Sequence, residues 1–236
     1  MKLSIKNLAR SMVILTFASA IVACADMAEP TANENNLQQY SQLVNLYGTV
    51  SAVPAQSFDF IANNQLNTWK VVNRQYGGTG SAVISMIPST QNLVDWQQSM
   101  VITTALSTDA PNMTIDSAMH DISAVSKKAC RRVNLKILTK LATQTTFTMQ
   151  NSKCKDGYKL FNEKHTITII QGTNALHIAH YTVIENNLTP KNQIQDTENM
   201  IQNATLVPNI KPSDTSNTDN ASNISSSNTT NNTSDI

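Results

Sequence analysis

The chain has 236 residues, 14% of them charged and 5% aromatic, with a formal net charge of +1. A nucleic-acid-binding domain is expected to carry a strong basic excess, so the balance argues against a nucleic-acid partner.

Lys2, Lys6 and Arg10 precede a mostly apolar run from Met12 to Ala23. Positive charges followed by about 7–15 apolar residues form a secretion signal, and a spanning helix would need about 20. The run ends on Ile21-Val22-Ala23-Cys24, which resembles the lipobox of bacterial lipoproteins. That resemblance implies a signal peptide over residues 1–23, cut just before Cys24. The Cys24 thiol then carries a diacylglyceryl group, its new amine is acylated with a fatty acid such as palmitate, and the lipid bilayer becomes a partner through that residue. Each buried methylene contributes about 0.8 kcal/mol, so several chains hold firmly. Family members with aspartate after the cysteine stay in the inner membrane; here Ala25 follows, implying the outer membrane with the domain in the periplasm. Two other readings stay open. Ala18-Ser19-Ala20 is a small-x-small cleavage signal for a soluble product, and triplets such as Asn112-Met113-Thr114 fit a eukaryotic secretory chain, although this composition generates them by chance.

Removing residues 1–23 removes three positive charges and no negative ones, taking the net charge from +1 to −2. With Cys24 acylated, Cys130 and Cys154 remain. In an oxidising envelope this pair reads as one disulfide, contributing roughly 3 kcal/mol in the chain-entropy model. The alternative is a reactive thiol or a two-cysteine metal site, although neither cysteine has a CxxC or CxxH partner.

Residues 24–36 lack apolar periodicity, contain Pro30 and read as a tether. Leu37, Tyr40, Val44 and Tyr47 recur at helical spacing and stop at Gly48. From Ser57 the period becomes two: Phe58 and Phe60 suggest a strand, followed by strands over Trp69–Tyr76 and Ala82–Ile87. Gly77-Gly78-Thr79-Gly80 lies between these two. A phosphate cradle needs a helix after the glycines, and strand-like residues follow, so a hairpin turn is expected. Leu93–Trp96 is ambiguous, and Ser99–Leu106 reads as a strand.

Ile115, Ala118, Met119, Ile122, Val125 and Ala129 share one helical face, with Asp116 and Asp121 early and Lys127, Lys128, Arg131 and Arg132 late. That order complements the helix dipole; the basic cluster is alternatively a site for an anionic headgroup or glycan. The helix delivers Cys130 to its end, where it can join Cys154 beyond strands over Val133–Leu141 and Thr145–Asn151.

Leu160–Ile170 and Ala175–Glu185 suggest a hairpin with Gly172-Thr173 as its central pair. That register pairs Ile169 with Leu176, Ile167 with Ile178 and His165 with His180, all on one face, with Glu163 opposite Thr182. Two imidazoles and a carboxylate are donors for zinc or a related ion, or a pH-sensitive pair. The other reading is a hydrogen-bonded pair with no ligand, since a metal needs further convergent donors. His177 points to the opposite face. Thr189 can cap a closing helix with Pro190 at its first position, carrying Ile194, Thr197 and Ile201.

Of the 24 residues from Ser213 to Ile236, 18 are Ser, Thr or Asn, too polar to offset the entropy of ordering, so residues 209–236 are expected to be a disordered tail. The remaining domain, 37–208, fits a single core. Hairpins interleaved with two or three helices predict an α+β fold with an antiparallel sheet of six to eight strands. The order of elements resembles PsbP-like extrinsic subunits, which implies a module that docks onto a larger assembly. No Gly-x-Ser-x-Gly, His-Glu-x-x-His or Walker motif is present, and no cofactor is expected. Two functions follow as expectations: a non-catalytic envelope lipoprotein that binds an envelope protein partner, or a metal-binding or His-dependent envelope enzyme using His165, His180 and Glu163.

Overall fold

The computed structural model describes residues 34–77, 81–156, 159–185 and 190–209. The signal segment, Cys24, residues 210–236, Gly78-Thr79-Gly80 and Asn186 to Thr189 lie outside the described residues.

Helix α1 (Glu34–Tyr47) buries Tyr40, Leu43 and Tyr47, and it begins three residues inside the segment expected to be tether. It ends where the sequence places its glycine. Gly48 takes φ +83° and its N–H bonds to the Val44 carbonyl at 2.6 Å, a left-handed cap that a side chain would oppose. A Cβ there would also lie 2.7 Å from the Tyr76 hydroxyl. That hydroxyl donates to the Tyr47 carbonyl, while Arg74 donates to the carbonyls of Leu46 and Asn45 at 2.9 and 2.8 Å. The last carbonyls of α1, which have no helical partner, are therefore held by strand β2 (Trp69–Gly77).

Strands β2, β3 (Ser81–Pro88), β4 (Gln98–Leu106), β5 (Cys130–Lys140), β6 (Gln144–Asp156), β7 (Lys159–Gln171) and β8 (Ala175–Ile184) form one seven-stranded antiparallel sheet. Its order is β2-β3-β4-β8-β7-β6-β5. Strands β1 (Gln56–Phe58) and β9 (Leu206–Pro208) pair separately. The protein is a single α+β domain, as the alternating hairpins and helices predict.

Side chains alternate across the sheet, and each face has its own core. On one, Ile84, Met86, Met100, Ile102, Ala179 and Tyr181 meet α1 and α4 (Lys191–Gln202). On the other, Phe147, Met149, Ile167, Ile169 and Ile178 meet α3 (Ile115–Ala129). Helix α3 starts with a reciprocal cap: Ser117 N–H donates to Thr114 Oγ1 at 3.1 Å and Thr114 N–H to Ser117 Oγ at 2.8 Å, satisfying two otherwise orphaned amides. Its buried stripe is rotated from the expected one, with Val125 exposed and Ser126 buried.

Three further expectations are corrected, and the ambiguous Leu93–Trp96 segment is resolved. The strand at Phe58 does not continue to Phe60; α2 (Asp59–Ala62) begins instead. The Asp59 carboxylate accepts from Phe60 N–H and from the amide and hydroxyl of Thr205 at 2.9, 3.1 and 3.0 Å, turning the chain there. Leu93–Trp96 is neither helix nor strand: Asn92 Oδ1 accepts from the amides of Val94 and Asp95, a side-chain-made turn. Pro190 is the N-cap of α4, not its first helical residue. Asn209, assigned to the tail, belongs to the fold: it donates to Pro54 O and accepts from Ser57 Oγ, both at 2.8 Å.

Candidate functional site

The α3 face changes character along the strands of β6, β7 and β8. Under α3 it is apolar; towards the Cys130 end it becomes Asn151, Glu163, His165, His180 and Thr182, all buried. The histidines meet, although in a register different from the one the sequence suggests. His165 lies opposite Thr182, Ile167 opposite His180, and Glu163 opposite Ile184, not Thr182. The shift is by two residues, so every side chain keeps its face and the histidines become diagonal neighbours. The cause is the turn: Gly172 N–H bonds to Ala175 O at 2.8 Å, placing Thr173-Asn174 at the tip in place of Gly172-Thr173. The side chain of Gln56 accepts from Thr173 N–H at 2.9 Å and secures that choice. Gly172 is needed for close approach, since a Cβ there would lie 2.7 Å from Gln56 Oε1 and 3.1 Å from the His177 ring.

Glu163, His165 and His180 are 5, 4 and 8% exposed. His165 Nδ1 is 2.9 Å from His180 Nε2 and 3.0 Å from Thr182 Oγ1. Its Nε2 is 3.0 Å from Glu163 Oε1 and 2.8 Å from Asn151 Nδ2, which also donates to Glu163 Oε1 at 3.1 Å. Burial, and secondarily the charge of His165, push the His180 pKa down to about 3. His180 is therefore neutral, and one hydrogen bridges its Nε2 and His165 Nδ1. On the other side, the Asn151 amide nitrogen lies between the two acceptors, donating to Glu163 Oε1 and standing within hydrogen-bond distance of His165 Nε2.

This geometry corrects the expected metal set of His165, His180 and Glu163. The three residues form a row across the His165 ring, with Glu163 and His180 at opposite nitrogens, so one ion cannot take all three through single donor atoms. Burial also denies the row a substrate, and the row is a hydrogen-bonded chain of polar groups closed inside the sheet.

Beside the row lies the cysteine pair. Cys130 and Cys154 are cross-strand partners with their sulfurs joined at 2.10 Å, and Cys130 Sγ is 3.7 Å from Glu163 Oε1. Among the described residues, Cys130, Cys154 and Glu163 form a group whose ligand atoms all lie within 4.8 Å of one another. The sequence reading missed that the disulfide and Glu163 adjoin, and it missed Asn151. A register break in β6 between Asn151 and Cys154 brings them together, with Lys153 at φ 53°. The signal was faint: Lys153-Cys154 shows no glycine to mark an irregular strand.

His177 sits on the opposite face, buried, its ring edge-on to Phe58 with centroids 6.1 Å apart. Lys127, Lys128, Arg131 and Arg132 are all exposed around the end of α3. Compared with known proteins, the chain matches no family model and no curated protein sequence.

Proposed function

We propose that the chain is an envelope lipoprotein, anchored through Cys24, whose domain works without catalysis by docking onto another envelope protein. The observation that carries this reading is the tip of the β5–β6 hairpin. Ile137, Leu138 and Leu141 are 43, 40 and 60% exposed there, three large apolar side chains within five residues, two on the edge strand β5 and Leu141 just past its end. Such clusters mark interaction sites more often than isolated surface leucines do, and an unpaired edge offers backbone hydrogen bonds to a partner strand. The charged side chains nearby, including Lys136 and Lys140, blunt indiscriminate pairing. The lipobox-like start and the resemblance to docking modules point the same way. The competing reading, a His-dependent enzyme, is weakened by the burial of its candidate residues.

Two experiments test the parts separately. Metabolic labelling with palmitate should mark the wild-type chain and fail to mark Cys24→Ala; equal labelling would refute the anchor. Photo-crosslinking from position 138 in intact membranes should yield one discrete protein adduct, and adducts to lipid alone would refute the docking reading.

A further inference from the structure

The disulfide, Glu163 and His165 lie together inside the sheet, and their donor atoms describe a second chemical state. We propose that, with Cys130 and Cys154 reduced, this centre binds a zinc-type divalent cation through the two thiolates, Glu163 and His165 Nε2. The inference does not rest on the docking reading.

Four observations support it. The donor atoms of Cys130, Cys154 and Glu163 already lie within 4.8 Å of one another, a separation that a single ion at 2.0–2.3 Å from each donor can close by small side-chain movements. His165 Nε2 stands 3.0 Å from Glu163 Oε1 and outside that group of three, so it becomes the fourth donor, in a set of the type zinc takes, when its ring moves towards the sulfurs and releases the Asn151 amide 2.8 Å away. The outer contacts are those a ligating histidine needs: the far nitrogen, Nδ1, is 2.9 Å from His180 Nε2 and 3.0 Å from Thr182 Oγ1, which holds the ring from the side away from the sulfurs. Asn151 Nδ2, 3.1 Å from Oε1, orients the carboxylate in the same way. Thiolates beside an imidazole favour zinc-type over hard cations, and the closed, buried setting is that of a structural site with no open position.

The chemistry balances. A dithiol reductant gives two electrons and two protons to the Cys130–Cys154 bond, becoming a disulfide itself and leaving two thiols. The cation then displaces both thiol protons. In reverse, a disulfide oxidant takes two electrons from the thiolates, forms the sulfur–sulfur bond and expels the ion. Disulfide and metal are thus exclusive fillings of one site, each joining β5 to β6.

The test uses the full chain in detergent, reduced with excess dithiothreitol, freed of reductant without oxygen and titrated with Co²⁺, then Zn²⁺. About one Co²⁺ per chain should bind, with a thiolate-to-metal charge-transfer band that Zn²⁺ abolishes and that the oxidised chain never shows. E163Q and H165Q should each alter the band and weaken binding roughly tenfold or more. H177Q, on the opposite face, should leave both unchanged. Circular dichroism guards against simple unfolding: if reduction unfolds the chain, Zn²⁺ should refold it. No charge-transfer band, a band indifferent to E163Q and H165Q, or an unfolded reduced chain that Zn²⁺ fails to restore would each overturn the proposal.

Discussion

The two ends of the β5–β6 hairpin invert the usual rule of burial. At the Cys130 end, titratable groups and a disulfide are closed inside the sheet; at the Leu141 end, large apolar side chains stand in solvent. Burying polar groups costs free energy unless each finds a partner, and the closed end supplies one for both nitrogens of His165 and for Glu163 Oε1. Exposing leucines forgoes about 25 cal/mol per Å² of apolar area, which a partner can recover. On the docking reading proposed above, the closed end supplies stability and the open one recognition.

Removing one partner from the closed end should have the largest effect. His165→Leu leaves Glu163 buried without its imidazole and should cost about 3–5 kcal/mol, measured by urea unfolding with an unchanged m-value; a loss below about 1 kcal/mol would mean that the row is not a coupled unit. Replacing both Cys130 and Cys154 with Ala should cost roughly 3 kcal/mol.

A comparison between histidines sharpens the same point. His177 is buried among apolar groups, and burial lowers its pKa from 6.5 to about 4. Between these values the unfolded chain binds more protons than the folded one, so stability falls as pH drops through this window. The loss from His177 alone is roughly 3 kcal/mol; His180, lowered further to about 3, acts in the same window, so His177→Gln should make that limb shallower without abolishing it. At the open end, Leu138→Ser should change stability by no more than about 0.5 kcal/mol.

Much of this architecture is legible in the residues. Helix α3, with Cys130 at its end, follows from its apolar spacing and Thr114 cap. Gly48 ends α1 because a left-handed residue is needed there. The convergence of His165 and His180 on one face follows from the two-residue period. What escapes is set by contacts distant in sequence. Gln56 selects the turn at Thr173, 117 residues away, and so shifts the β7–β8 register. Thr205 holds Asp59 and cuts β1 short. The break in β6 that sets Glu163 beside the cysteines carries no glycine. At the open end, a second irregularity between Ile137 and Thr139 leaves Leu138 outside the strand alternation, and periodicity alone could not single it out.

The division of labour is tested most directly by photo-crosslinking in intact membranes from two positions of the same hairpin, Leu138 at the open end and Arg132 near the closed end. The account predicts a discrete protein adduct from position 138 that Leu141→Ser abolishes, with none from position 132. Equal adducts from both positions, or a position-138 adduct indifferent to Leu141→Ser, would contradict it.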